Sequence, residues 1–143
     1  MHDDLEEIRQ LKARYFRLMD TKDWDGLAGV FAEDVEIDVT SEGGRVFRNV
    51  QDYMPFLRAN IGDAITVHHG HMPEIQITSP TTATGIWALE DRIWWPEGSP
   101  FSYLHGFGHY HETYAKSDSD GGWRIATMTI SRLHLDLDVP TPN

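Results

Sequence analysis

The sequence predicts an α+β fold in which helices cover one face of a strongly curved antiparallel sheet. Helical patterns occupy the first 62 of the 143 residues, and long strand patterns occupy most of the rest. Short turns separate successive strand patterns, which is typical of antiparallel neighbours, and helices that precede such a sheet pack on one of its faces. We find no internal repeat, linker or low-complexity tract. The sequence therefore predicts one domain over residues 1–143, in which 138–143 form a frayed tail.

Three helices are predicted, near residues 3–20, 23–32 and 50–61. In the first, Asp3 and Asp4 form a start signal ahead of apolar residues at helical spacing, with charged residues on the opposite side. The second is the short stretch DWDGLAGVFAED, and the third, VQDYMPFLRANIG, ends on Gly62. Between them, VEIDVT and RVFRN flank SEGG, a pattern that predicts a hairpin.

The second half of the sequence contains four strand patterns: EIQIT, ATGIWALEDRIWW, FSYLHGFGHYHETYAK and WRIATMTISRLHLDL. Because side chains alternate along a strand, Trp87, Leu89 and Asp91 share one face. Glu90 and Arg92 point to the other face, so Asp91 lies on the more apolar side. We expect this apolar side to face the helices, where a buried carboxyl group must be paired, hydrogen-bonded or protonated.

Composition and charge exclude several classes of function. Twelve Lys and Arg residues against 23 Asp and Glu residues give a net charge of −11, which repels nucleic acid and anionic membrane surfaces. The absence of cysteine removes thiol nucleophiles and thiolate metal sites. No apolar run approaches ~18 residues, and the first residues form no basic or apolar leader. We therefore expect a soluble, cytoplasmic protein.

Histidines raise the alternative of a metal site. Six of them fall into two clusters, His68, His69 and His71, and His105, His109 and His111. On a strand, His109 and His111 would share a face and could hold a divalent cation with a distant third ligand. Glu112 follows His111 directly and would point to the opposite face. The spacing therefore favours no metal centre, and we expect neither a metal nor another cofactor.

The order of these segments resembles the SnoaL-like branch of the nuclear transport factor 2-like superfamily. The resemblance rests on Tyr15 five residues before Asp20, on DWDGLAGVFAEDVEID, on a loop histidine ahead of PEIQI, on a strand with Asp91, and on GGWRIATMTISRLHL. It implies a conical α+β barrel in which three helices and a curved sheet enclose one deep pocket. Within the superfamily, the sequence is most similar to the branch of bile acid 7α-dehydratase, scytalone dehydratase and hexachlorocyclohexane dehydrochlorinase.

This resemblance implies a catalytic aspartate at the end of the first helix, paired with a histidine that comes later in the chain. His68 follows Asp20 by 48 positions, which fits the family separation, and alignment on PEIQI selects it over its neighbouring histidines. The other polar residues of the bile acid dehydratase pattern fall at or near Tyr15, Asp91 and Arg132. These five residues are the predicted catalytic set.

The chemistry of water elimination is consistent with this set. Removing water from an activated C–H/C–OH pair needs a base and a donor for the departing oxygen. Imidazole can be the base, and a carboxylate on its far nitrogen fixes the tautomer and holds the ring, which are the roles predicted for His68 and Asp20. Tyr15 could donate to the leaving hydroxyl or to a carbonyl. Asp91 could act as an acid, or could bind Arg132 or a substrate hydroxyl.

We therefore predict a dehydratase that acts on a hydrophobic cyclic alcohol of steroid, terpenoid or polyketide type. Substrate contacts are predicted for Trp24, Trp87, Leu89 and His109. Two alternatives stay open: an isomerase or cyclase in which Asp91 is the base and His68 only a hydrogen-bond donor, and a non-catalytic binding module. A homodimer or homotrimer is also expected, because Ile86 and Trp94 lie on the outer face of the sheet.

Overall fold

In a computed structural model that describes residues 3–141, the chain forms three α-helices and one six-stranded sheet. The elements are α1 (Asp4–Asp20), α2 (Trp24–Ala28), β1 (Phe31–Asp38), β2 (Val46–Phe47), α3 (Val50–Ile61), β3 (Ile65–Ser79), β4 (Thr82–Trp94), β5 (Tyr103–Lys116) and β6 (Trp123–Asp138). A 3₁₀ turn, Thr40–Glu42, joins β1 to β2. Among the described residues, no helix has the length and apolar character needed to cross a membrane.

The strands follow the order β2-β1-β6-β5-β4-β3, so β2 and β3 are the two edges of an open, curved sheet. This architecture confirms the predicted α+β class. The prediction of an antiparallel sheet is wrong for one pair, because β1 runs parallel to β6. The two strands are far apart in sequence, and no turn between neighbouring segments could have indicated their relative direction.

Two predicted boundaries are also wrong. The second helix was predicted over 23–32, yet it ends at Ala28, and Phe31 begins a strand because it pairs with Ile125 of β6. His68 was predicted to lie in a loop, yet it lies inside β3, paired with Asp91 of β4. Asp138, the first residue of the predicted tail, is the last residue of β6, and residues 142 and 143 lie outside the described part of the chain.

The buried face of β4 is the one that the alternation predicts. Trp87, Leu89 and Asp91 are buried beneath the helices, whereas Arg92 is exposed on the other face. This result confirms the predicted orientation of the strand. It places one carboxyl group, that of Asp91, inside the molecule, where its partners decide what it can do.

The packing of α1 against β3 depends on a glycine, Gly70, which has no side chain to separate the helix from the strand. A Cβ atom at Gly70 would lie 2.7 Å from the ring of Phe16, closer than carbon atoms normally approach, and 3.1 Å from the ring of Trp87, a tight contact. Gly70 therefore lets the helix approach the strand closely. The same approach brings the end of α1 next to the first half of β3, where the histidines lie.

A buried ion pair lies under α1. The ammonium group of Lys12 donates to Glu112 over 2.6 Å, and both side chains are fully buried. Glu112 also accepts a hydrogen bond from Tyr114. The Lys12 nitrogen lies 3.7 Å from the ring centre of Tyr15 and 3.5 Å from that of Tyr110, so the ion pair holds both rings in place. Burial lowers the pKa of Lys12 to about 8, although Glu112 opposes this shift.

We expect Lys12→Met to lower the free energy of unfolding by about 3–5 kcal/mol, because it leaves the Glu112 carboxylate buried without its cation. The double variant Lys12→Met/Glu112→Gln should regain much of that loss. Lys116→Met is the control: Lys116 pairs with Asp4 at the surface over 3.5 Å, so its removal should cost at most about 1 kcal/mol. Urea denaturation measures all three. Equal losses for Lys12→Met and Lys116→Met would contradict the structural role of the buried pair.

Self-association stays a prediction. Ile86 and Trp94 are 37% and 39% exposed on the outer face, as expected for residues that a second copy would cover. Light scattering coupled to size-exclusion chromatography should give a mass of two or three chains at micromolar concentration. Trp94→Lys should shift that mass toward one chain, and a wild-type monomer would contradict the prediction.

Candidate active site

A cavity of about 560 Å³ lies between the helices and the inner face of the sheet. Much of its wall is apolar, with contributions from Met19, Phe56, Leu57, Ile93, Trp95 and Leu104. Polar groups also reach the wall, from Tyr15, Glu42, Tyr53, His68, Asp91 and Tyr110. A cavity of this size, mainly apolar with a few convergent polar groups, is typical of small-molecule sites.

Asp20 and His68 meet at one wall of this cavity. The Nδ1 atom of His68 lies 2.7 Å from Oδ1 of Asp20, and the His68 backbone N–H donates to Oδ2 over 2.9 Å. The histidine is only 8% exposed. We find no hydrogen-bond partner for its Nε2 atom among residues 3–141, and His68 is one of the residues that line the cavity. The predicted contact between the two residues is confirmed.

Two further residues, which the sequence analysis did not identify, support the carboxylate of Asp20. Thr66 donates its hydroxyl to Oδ1 of Asp20 over 2.9 Å, and Lys22 donates to the hydroxyl of Thr66 over 2.7 Å. Thr66 lies two residues before His68 on β3, and alternation along the strand could have placed it on the same face. The resulting chain of hydrogen bonds runs from Lys22 through Thr66 and Asp20 to His68 and fixes the orientation of the carboxylate.

The end of α1 determines where Asp20 lies. The N–H groups of Lys22 and Asp23 donate to the carbonyls of Met19 and Leu18, the two bonds that close a helix in a Schellman motif. Lys22 has φ of 62°, a left-handed conformation that glycine usually supplies. Because the chain turns at this residue, the Lys22 side chain reaches back to β3. Burial lowers the pKa of Lys22, against the opposing charge of Asp20.

Asp91, Arg132 and Glu42 form a second polar group on the cavity wall. The guanidinium of Arg132 donates to both carboxylate oxygens of Asp91, over 2.7 and 2.9 Å, and on its other side it donates to both oxygens of Glu42. These hydrogen bonds raise the pKa of Arg132 although burial opposes the increase. Of the three predicted possibilities for Asp91, namely an acid, a partner of Arg132 and a partner of a substrate hydroxyl, the structure shows the pairing with Arg132. Glu42, which the sequence analysis placed in a turn, is the additional partner.

Gly106 leaves the space that this ion pair needs. A Cβ atom at this position would overlap the guanidinium of Arg132 and lie 2.6 Å from Oδ1 of Asp91. Gly106 is the cross-strand neighbour of Asp91 on β5. A larger residue would displace one member of the pair.

Three tyrosines of the wall are hydrogen-bond donors at neutral pH. Burial is the largest cause that raises the pKa of Tyr15, Tyr53 and Tyr110 above the ordinary range, and nearby negative charges, such as that of Asp91 on Tyr110, add to it. Their hydroxyl groups therefore stay protonated, and since Tyr15 and Tyr110 hydrogen-bond to each other, one hydroxyl of that pair is left to donate to an oxygen atom in the cavity. The sequence analysis identified Tyr15 alone among them.

The four predicted substrate contacts lie outside the cavity wall. Trp87 and Leu89 are buried on the inner face of β4, where the indole N–H of Trp87 donates to the hydroxyl of Tyr114. Trp24 packs half-buried against the core at the start of α2. His109 pairs with Ala88 on the outer face. Contact of these four residues with a substrate stays a prediction, because alternation gives the face of a residue but not its distance from the cavity.

The alternative of a metal site, which the sequence analysis did not favour, rested on His109 and His111. Both lie on the outer face of β5, and His111 hydrogen-bonds to Ser131. Glu112 faces the interior, as predicted. Among residues 3–141, the one group of side chains with ligand atoms close enough for a metal ion is His69, His71 and Glu90, also on the outer face.

Comparison with protein-family models matches residues 2–129 to the SnoaL-like domain. The chain belongs to this family. A relative from Gibberella zeae, named Probable cyclase FGR4, is 24% identical over 139 residues, and the match covers 91% of both chains. This match confirms the resemblance to the SnoaL-like family that the sequence analysis described.

Two solved structures illustrate the shared fold. A Novosphingobium aromaticivorans protein named for scytalone dehydratase has a TM-score of 0.79 at 19% identity, covering 96% of this chain and 89% of its own. Hexachlorocyclohexane dehydrochlorinase LinA-type3 from Novosphingobium barchaimii LL02 has a TM-score of 0.77 at 17% identity, covering 96% and 94%. At these identities the SnoaL-like fold is what the proteins share.

We expect Gly106→Ala to destabilise the protein by about 1–3 kcal/mol, because the added methyl group overpacks the Asp91–Arg132 pair. Gly29→Ala is the control, since its Cβ would meet only the Gly26 carbonyl oxygen, at 3.3 Å. Thermal unfolding of the two variants measures the difference. If Gly106→Ala were as stable as Gly29→Ala, the close approach of the ion pair to β5 would be contradicted.

Proposed function

We propose that this SnoaL-like protein is a cofactor-independent lyase, a dehydratase that removes water from a neutral, hydrophobic cyclic alcohol. The observation that carries the proposal is the Asp20–His68 pair, whose imidazole reaches the wall of an apolar cavity with Nε2 unpartnered among the described residues. Two proteins of the same fold are named for eliminations, one a dehydratase and one a dehydrochlorinase, and they support this reaction class.

In the proposed reaction, Nε2 of His68 takes a proton from a carbon next to a carbonyl group. The electron pair of that C–H bond forms a C=C bond, the neighbouring C–O bond breaks, and the departing oxygen takes a proton from a tyrosine hydroxyl to leave as water. The imidazolium then returns the proton to the tyrosine. Asp20 accepts from Nδ1 throughout, so it holds the ring and stabilises the imidazolium. Tyr15 or Tyr110 is the donor.

The cavity favours an uncharged substrate. Its wall contains the carboxyl groups of Asp91 and Glu42, which share the single guanidinium of Arg132 and leave a net negative charge. A negatively charged substrate would be repelled by this group and by the net charge of −11 on the whole chain. The apolar wall residues suit a ring system, and the volume of about 560 Å³ is that of typical small-molecule sites.

A cyclase is the second candidate, supported by the relative named as a cyclase at 24% identity. A cyclisation on this site would also begin with proton removal by His68. The version with Asp91 as the base has less support, since both of its carboxylate oxygens already accept hydrogen bonds from the Arg132 guanidinium. Mass spectrometry distinguishes the reactions, because dehydration lowers the mass by one water and cyclisation by isomerisation leaves it unchanged.

Turnover of β-hydroxy ring ketones tests the proposal, with the conjugated product followed by its ultraviolet absorbance. We expect His68→Ala to lower kcat by about 10²–10⁴-fold, the usual contribution of a general base. Asp20→Asn should also lower kcat substantially, because it removes the charge that orients the imidazole. His111→Ala, on the outer face, is the control and should leave kcat within about twofold, a range in which surface changes normally fall.

Ligand affinity separates an enzyme from a binding module. The proposal expects His68→Ala to bind the product with nearly wild-type affinity while turnover is lost. If the wild type bound ring ketones but turned over no β-hydroxy derivative, the proposal of an enzyme would be contradicted. The alternative of a non-catalytic binding module would then remain. Turnover that survives in His68→Ala would contradict the assignment of the base.

A further inference from the structure

Three ligand atoms converge on the outer face of the β3–β4 edge. His69 and His71 lie two residues apart on one face of β3, and Glu90 is the direct cross-strand neighbour of His69 on β4. One ligand atom from each of the three residues lies within 4.8 Å of the other two. Both histidines are exposed, so an ion could reach them from solvent.

We propose that His69, His71 and Glu90 bind a divalent transition-metal ion of the zinc, nickel or copper class. The ligand atoms of a tetrahedral Zn²⁺ site, at about 2.0–2.2 Å from the metal, are about 3.3–3.6 Å apart. The Nε2 atom of His71 and Oε1 of Glu90 are already 3.5 Å apart. Rotation of an exposed imidazole can bring the third ligand atom into range. Two imidazoles and one carboxylate suit these metals and leave one position for water.

A hydrogen bond orients the carboxylate of Glu90, as is common for carboxylates that bind metals. Its Oε2 atom accepts a hydrogen bond from His105 over 2.8 Å, which leaves Oε1 facing His71. Carboxylates that bind metals are commonly oriented in this way by a further hydrogen bond. The nearby cation, Arg92, lies 4.0 Å from Oε2, on the side away from His71.

The backbone of β3 becomes irregular just after His71. The pairing register with β4 shifts between His71 and Glu74, and Met72 has φ of 30° with a side chain that is 91% exposed. Bulges of this kind change the direction of neighbouring side chains and are frequent beside functional sites. Here the bulge interrupts the regular pairing next to His71, and the pairing resumes at Glu74.

A second pair of histidines in the same sheet provides a comparison. His109 and His111 also lie two residues apart on the outer face, with ring centres 6.1 Å apart against 6.0 Å for His69 and His71. This second pair is not part of a group of ligand atoms in the described chain, since His111 hydrogen-bonds to Ser131 and no carboxylate joins them. The carboxylate therefore distinguishes the proposed site.

The metal site is separate from the proposed elimination. Side chains alternate along β3, so His68 faces the cavity while His69 and His71 face away from it. No step of the elimination passes through the outer face. Failure of one proposal would therefore leave the other unaffected.

Isothermal titration of untagged protein with Zn²⁺ or Ni²⁺ alone, in a non-chelating buffer near neutral pH, tests the proposal. We expect saturable binding of up to one ion per chain. His71→Ala and Glu90→Gln should each weaken it by about tenfold or more, comparable with changes around other metal sites. His111→Ala should leave the affinity within about twofold. Electron paramagnetic resonance of the Cu²⁺ form should show two nitrogen ligands, and affinity should fall at lower pH because protons compete for imidazole.

Circular dichroism and the melting temperature of the metal-free variants serve as folding controls, since all the substituted side chains are at the surface. The proposal is overturned if the wild type binds no ion at millimolar concentration. It is equally overturned if His71→Ala and Glu90→Gln bind as tightly as the wild type, or if His111→Ala weakens binding as much as they do. The last two outcomes would indicate ligation elsewhere in the chain.

Discussion

The carboxylate of Asp20 joins the end of α1 to the edge strand β3. Its two oxygens accept three hydrogen bonds from β3, namely those from the His68 backbone, the His68 ring and the Thr66 hydroxyl. The helix must end at this residue for the side chain to reach the strand, and the left-handed turn at Lys22 provides that ending. This one contact fixes the orientation of the His68 imidazole and therefore the direction of its Nε2 atom. It also sets the position of the cavity wall that His68 forms.

Two ion pairs lie within the largely hydrophobic interior. Lys12 with Glu112 supports the rings of Tyr15 and Tyr110 from beneath, and Arg132 holds Asp91 at the other wall. Buried ion pairs contribute little net stability, yet leaving one partner without the other is costly. They therefore act mainly to fix positions. The imidazole of His68 differs from these groups, because its Nε2 atom has no hydrogen-bond partner among residues 3–141.

Much of this site could be predicted from the sequence, since Asp20 and His68 have a spacing shared with the family and Asp91 follows from alternation along one strand. The register of β3 could not be predicted locally, because residues 67–71 become a strand only by pairing with β4. Partners that meet across long stretches of chain were also missed. Glu42 reaches Arg132 from 90 positions away, and no local pattern indicates that contact.

Alternation along β3 gives neighbouring histidines opposite environments. His68 and Gly70 face inward, the first to meet Asp20 and the second to admit Phe16, whereas His69 and His71 face outward beside Glu90. A shift of register by one residue would exchange these environments. Thus the pairing of β3 with β4, together with the Asp20 contact, decides which histidine can act in the cavity.

Nuclear magnetic resonance of the His68 ring tests the role of this contact directly. Long-range ¹H–¹⁵N correlation spectra, assigned by comparison with His68→Ala, report which ring nitrogen carries the proton when the ring is neutral. A base held by Asp20 must have its proton on Nδ1, donated to the carboxylate, and an unprotonated Nε2 facing the cavity. The opposite tautomer, with the proton on Nε2, would contradict the assignment of His68 as a general base.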